Sequence, residues 1–262
     1  MLGFIKSKPI LDQDATHWLF DAFAWSLRNF DAQIFYRETI LVTPTNQHFP
    51  GRESSAQGMA NLIFQQVATY AGLQHWPCRL VDANHPVADA PARLMLDGPL
   101  RGAKLPAATV DDTRKLLIPY NVNQLAKPEA IIAQFAHILA HYLGQMADEL
   151  PPGGEQFWPQ ATELLAVFMG FGIMIANTAY TFRGGCGSCY NPLSERSAYL
   201  SQDEATYALA IFCVLKDIAA NEVVPHLKKY LRPVFKTAYK EIKQRSDELQ
   251  KLKSLSLDNV AG

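Results

Sequence analysis

The run Phe157-Trp-Pro-Gln-Ala-Thr-Glu163-Leu-Leu-Ala-Val-Phe-Met-Gly170-Phe-Gly-Ile-Met-Ile-Ala176 decides how this chain folds. After Glu163 every residue as far as Ala176 is apolar or glycine, so the segment has no polar face to offer water. A helix of that kind belongs at the centre of a core. The apolar stretch, 164–176, is shorter than the ~20 residues a bilayer requires and is interrupted by Gly170 and Gly172. It therefore reads as a buried helix from about Phe157 to Tyr180, with no membrane span.

Working outward, Pro128 suits the first turn of a helix running to about Met146, and Pro151-Pro152-Gly153-Gly154 marks the turn after it. So short a connection lets the two helices pack antiparallel, and Gly170 and Gly172 would permit a close approach. Downstream, a Gly/Cys-rich loop through Pro192 leads to a helix over Gln202 to Lys216. A final long helix starts near Glu222, with a kink or break expected at Pro233.

The first half mixes signals. Asp14 to Phe30 is amphipathic, with Asp14 or Thr16 able to cap it, and Ser55 to Ala71 is helical up to Gly72. Glu38 to Thr43 reads as a β-rich run stopped by Pro44, and short strands are expected at Cys78 to Val81, Arg93 to Leu96 and Lys115 to Pro119. The fold class is thus α+β: a small mixed α/β part over 1–121 with a short sheet, and a mainly helical half over 122–262. At 262 residues and 48% hydrophobic composition, both parts fit within one domain.

A net charge of −1 argues against recruiting nucleic acid or an anionic membrane through the overall field. The local exception is Lys228 to Lys253, with nine Lys/Arg against three Asp/Glu, which reads as a solvated helix face. The opening Met-Leu-Gly-Phe-Ile-Lys-Ser-Lys-Pro lacks an apolar segment followed by a cleavage site, so a cytoplasmic location is expected. The four cysteines then read as thiols or ligands rather than structural disulfides.

The chemistry sits on the helix before the buried one. In Gln134-Phe-Ala-His137-Ile-Leu-Ala-His141-Tyr-Leu-Gly-Gln145, four polar side chains form one narrow stripe. His137 and His141, one turn apart, have the spacing that lets two imidazoles share a metal ion. In His-Glu-x-x-His the residue after the first histidine is the general base, and Ile138 stands there. A third ligand is needed, and Glu163, a lone acid at the head of an apolar helix, is the best placed. Asp148 and Glu149 fit less well, because Asp148 would lie about 10 Å along a continuing helix from His141. Gln134 and Gln145 would orient the imidazoles or satisfy each other.

Ala136-His137-Ile-Leu-Ala-His141-Tyr-Leu, followed by Ala161-Thr162-Glu163-Leu-Leu-Ala-Val-Phe-Met-Gly170, resembles the metal-binding core of gluzincin-type metallopeptidases and of uncharacterised zincin-like bacterial proteins. The latter group is also similar at Asp21 to Trp25, Phe35 to Thr39, Val42 to Thr45 and Tyr199 to Phe212. The resemblance implies a zincin-like fold, zinc as cofactor, His137, His141 and Glu163 as its ligands, and a peptide or protein as partner. It does not supply a base at position 138, so no catalytic residue is assigned.

Cys186-Gly-Ser-Cys189 can take two corners of a metal site or form a redox pair. Cys213 lies in an apolar run and reads as core. Phosphate loops, dinucleotide fingerprints and serine-hydrolase elbows are absent from the sequence. Three functions remain in play: a metal-binding protein with a degenerate metallopeptidase site, a non-catalytic interaction protein whose polar stripe is structural, and an active zinc hydrolase with its base elsewhere, such as Glu149 or a tyrosine.

Overall fold

The computed structural model describes residues 9–82, 98–102, 105, 115–179 and 198–258. At its centre lies the rod anticipated from the apolar run: a 3-10 turn (Glu155–Phe157), α5 (Trp158–Ala166), a π-helical turn (Val167–Phe171) and α6 (Gly172–Thr178). The stretch Glu155–Thr178 is long and apolar enough to cross a membrane by length and composition, but 94% of its most apolar window is buried inside the fold. Helix α4 (Pro128–Gly144) lies antiparallel to the rod. A Cβ on Gly144 would meet Trp158 and Leu165, and at the other end the Asn177 amide donates to Glu129 at 3.0 Å. Close approach therefore comes from Gly144. Gly172 instead makes room for Leu209 of α7 (Gln202–Leu215), whose residues from Ala205 onward are all buried.

The rod is not one continuous helix. Gly170 has φ of 100°, which breaks the hydrogen-bond ladder and frees its carbonyl to accept the Val42 amide at 2.9 Å. That contact corrects the expectation of a strand at Glu38 to Thr43: no strand forms there, and the segment's partner is the opened helix, with Gly170 packed under the Ile40 carbonyl. The helix α2 (Ala32–Arg37) just before it escaped the sequence reading, although Asp31 caps it by accepting from Gln33 and Ile34.

Helix α1 (Gln13–Asn29) is capped by Asp12, two residues before Asp14 and four before Thr16, and the Asp12 carboxylate accepts from Ala15 at 2.7 Å. Its indoles reach the α4–α5 turn, Trp18 to the Pro152 carbonyl at 2.8 Å and Trp25 to that of Glu149 at 3.0 Å. Helix α3 (Ala56–Ala71) is capped by Ser55 and stopped by left-handed Gly72, as its sequence indicates. Two of the expected strands form, β1 (Cys78–Asp82) and β2 (Leu116–Tyr120), paired in parallel with Cys78 opposite Leu116. The fold is α+β, with this two-stranded sheet among the described residues. The strand expected at Arg93 to Leu96 lies outside them.

The C-terminal part differs from the single kinked helix expected. After α8 (Ala220–Val223) the chain forms α9 (Leu231–Lys243) and α10 (Ser246–Asp258), and Pro233 sits in the first turn of α9, where its missing N–H costs nothing. Helix α10 closes over α1 and α2, and its Leu252 carbonyl receives the Tyr36 hydroxyl at 3.2 Å.

A cation also lies inside. Arg101, 2% exposed, donates to the Ala71 carbonyl and the Thr39 hydroxyl, both at 3.1 Å, with its guanidinium 5.3 Å from the Phe168 ring centre. Burial lowers its pKa to about 10, opposed by Asp31 and Glu38, so it stays charged at neutral pH. It pins α3, the 38–42 segment and the π-helical turn together. Gly170→Ala, which adds a Cβ in left-handed geometry against the Ile40 carbonyl, should lower the unfolding free energy by about 3 kcal/mol or more. Urea denaturation measures this; a loss below about 1 kcal/mol would mean that the break is not required.

Candidate metal centre

The polar stripe forms on α4 as its spacing requires. The helix buries Ile132, Phe135, Ala136, Leu139 and Leu143, leaving Gln134 and His137 half-buried and His141 and Gln145 exposed. The two glutamines do not satisfy each other. Gln145 donates to Nε2 of His141 at 3.1 Å, with that nitrogen as the acceptor. Gln134 instead points to the Pro119 carbonyl at 3.5 Å, and Tyr142 reaches the Leu117 carbonyl at the same long distance. Ile138, in the position of the missing base, packs against the hydrophobic core.

Glu163 is wholly buried on α5. Its Oε2 accepts two backbone N–H groups, from Tyr199 at 3.1 Å and Leu200 at 2.8 Å, just before Ser201 caps α7. Gly144 meets Trp158 and Leu165 of α5, so along the axis Glu163 lies level with the last turn of α4, but its carboxylate is directed to the segment ahead of α7. It is nearer in level to His141 than to His137, which is about 6 Å further along the axis.

The chemistry of these donors suits a metal. A carboxylate with one oxygen held by two amides is oriented as ligating carboxylates are, with Oε1 the oxygen an ion would take, and the His141 lone pair is the one a metal would share with or take from Gln145. Yet among the described residues no group of three or more His, Cys, Asp or Glu side chains is gathered tightly enough to hold an ion. The sequence pattern thus places the donors on adjacent helices without closing them into a cage. Cys186 and Cys189 lie outside the described residues.

The other candidates are engaged elsewhere. The carboxylate of Glu149 pairs with Arg28 at 3.0 Å, while the amides of Asp148 and Glu149 donate to Asn29 at 3.0 and 3.3 Å. Both residues belong to the α1 junction rather than to the stripe. Burial raises the pKa of Tyr142, which keeps its phenol protonated. Cys213 is buried as expected, its thiol pushed well up by desolvation. Comparison with protein-family models, curated proteins and solved structures finds no match for this chain.

Two histidines away from the stripe were not singled out by spacing. His48 accepts the Thr43 amide on Nδ1 at 3.3 Å, and burial, then the His226 charge, lowers its pKa. His75 is buried and likewise lowered, with a contact to the Pro99 backbone opposing the shift. The unfolded chain takes up these protons near pH 6.5 while the folded chain resists them. Stability is therefore expected to fall as pH drops below about 6.5, and His75→Gln should flatten that fall in urea titrations at pH 7.5 and 5.5. A variant with the same slope as the parent would remove His75 from the account.

A second expectation concerns Glu163. Glu163→Ala removes a buried acceptor from two amides and should cost about 2–4 kcal/mol even in chelator-treated protein. Differential scanning calorimetry with chelator tests it, and a loss confined to metal-loaded protein would show that the carboxylate has no structural duty.

Proposed function

We propose that this chain is a zincin-like metal-binding protein with a degenerate metallopeptidase site, in which His137, His141 and Glu163 hold zinc and hydrolysis is lost or altered. The observation that carries this reading is the pairing of a histidine stripe on the open side of α4 with a buried, amide-oriented carboxylate on the helix packed against it. Zinc in such a place supplies Lewis acidity and a lowered pKa for water. The protein must supply the proton transfer, typically worth ~10²–10⁴-fold, and its residues are poorly placed to do so. Ile138 can neither accept a proton nor hydrogen-bond, Tyr142 is held protonated, and Glu149 is tied to Arg28. A peptide or protein that binds without being cleaved is the partner this arrangement suits.

The second reading makes the stripe structural and the protein a non-catalytic interaction module. It is favoured by the hydrogen bonds of Gln145 to His141 and of Gln134 to β2, which already use part of the stripe. Metal content separates the two. Protein purified without chelator should carry about one zinc per chain by elemental analysis, and His137→Ala with His141→Ala should remove it. Full zinc in the double variant would shift the site to Cys186 and Cys189; no zinc in the parent would leave the structural reading.

Activity separates both from a working hydrolase. The parent should show no chelator-sensitive cleavage of casein or of a mixed peptide library, while Ile138→Glu should gain weak, chelator-sensitive cleavage. Robust cleavage by the parent, abolished by His137→Ala, would overturn the lost-activity proposal.

A further inference from the structure

Between α3 and β1 runs a groove that the metal-centre reading does not use. It encloses about 600 Å³ between the outer face of α3 and β1. On α3 its wall is Gln57, Asn61 and Gln65, one carboxamide per turn, none of which makes a hydrogen bond to another described residue. Gln74 closes one end, with its Oε1 buried and without a partner while its amide donates to Gly102 at 2.9 Å. Arg79 is the charged residue among those lining it.

The opposite wall is a strand edge. Leu116 donates to the Pro77 carbonyl at 2.7 Å, and the register puts Leu116 opposite Cys78. In a parallel pair, alternate residues direct both backbone groups to the same neighbour, so Arg79 faces β2 while Cys78 and Leu80 turn their N–H and C=O groups outward, towards the groove. Among the described residues no strand pairs with that edge.

We propose that this groove binds an extended peptide segment of a partner protein, which adds to β1 as a third strand. The chemistry matches on both sides. One edge of the incoming strand pairs with Cys78 and Leu80, and its other edge presents alternating donors and acceptors that side-chain carboxamides, being both, can satisfy. The five-residue strand spans about 16 Å and the carboxamide row about 12 Å, room for about four to five peptide residues. Arg79 favours an acidic residue in that segment. The Cys78 thiol, pushed up to about 12 by burial, stays protonated and adds no charge to the groove.

The test uses the full chain and a fluorescein-labelled acetyl-Thr-Val-Glu-Val-Thr-Val-amide, read by fluorescence anisotropy. Saturable binding at about 100 μM or tighter is expected. N-methylation of alternate peptide amides on the edge facing β1 should abolish it. Asn61→Ala with Gln65→Ala, on an exposed helix face, should weaken it about fivefold or more. Leu80→Pro removes one outward N–H while sparing the ladder to β2 and should also abolish binding. In hydrogen exchange the Cys78 and Leu80 amides should exchange fast in the free chain and slowly with peptide. The proposal is overturned by no binding up to about 1 mM, by affinity indifferent to N-methylation, or by slow exchange of both amides without peptide, which would mean the chain already covers its own edge.

Discussion

A helix that is apolar on every face can be stable in water only if other elements cover all of it, and this constraint organises the whole molecule. Residues from Ala161 to Ala176 are buried throughout. Helix α4 covers one side, α7 another, and the 38–42 segment fits where Gly170 breaks the rod. The polar groups the rod carries must be satisfied from the same shell. Glu163 is answered by the amides ahead of α7, and Asn177 bridges Glu129, the His226 carbonyl and the Lys228 amide. An uncompensated carboxylate in such a place would cost several kcal/mol, so the entry of the chain into α7 is set by a side chain on α5.

The same demand explains the internal cations. Arg101 and Lys216 both serve backbone carbonyls rather than carboxylates: Lys216 donates to Phe35 and Tyr36 at 2.7 and 2.6 Å, closing the C-terminal end of α2. Helix ends present unsatisfied carbonyls and a partial negative charge, which makes them suitable partners for a cation drawn into the fold. Each pin joins a short N-terminal element to the main helical body.

What could be read in advance follows from how local each signal is. Helices α1, α3, α4 and α7 announce themselves by period and caps, and the two strands that form by their β-branched and apolar runs. The break at Gly170 was visible only as a glycine, because the reason for its left-handed backbone is the carbonyl of Ile40, far away in sequence. The β-rich residues of 38–43 lacked a strand to pair with, so tertiary contact overrode propensity. At the candidate centre the His137/His141 spacing, a property of a single helix, was legible. The amide partners of Glu163 and the ties of Asp148 and Glu149 to α1 were not, since they depend on how distant segments meet.

Those distant meetings also dictate when the fold can be completed. The Tyr36–Leu252 hydrogen bond closes a sequence separation of 216 residues, and the Lys216 pin closes one of 180. Part of the apolar face of α1 and α2 is covered by α7 and α10, which lie far along the chain. Without them Tyr36 loses its hydrogen bond to Leu252 and Phe35 its edge contact with Phe212, although Phe35 keeps its stacking on Phe168. Until these long-range contacts close, aromatic surface on α1 and α2 stays exposed, a stage in which chaperone engagement or self-association competes with folding.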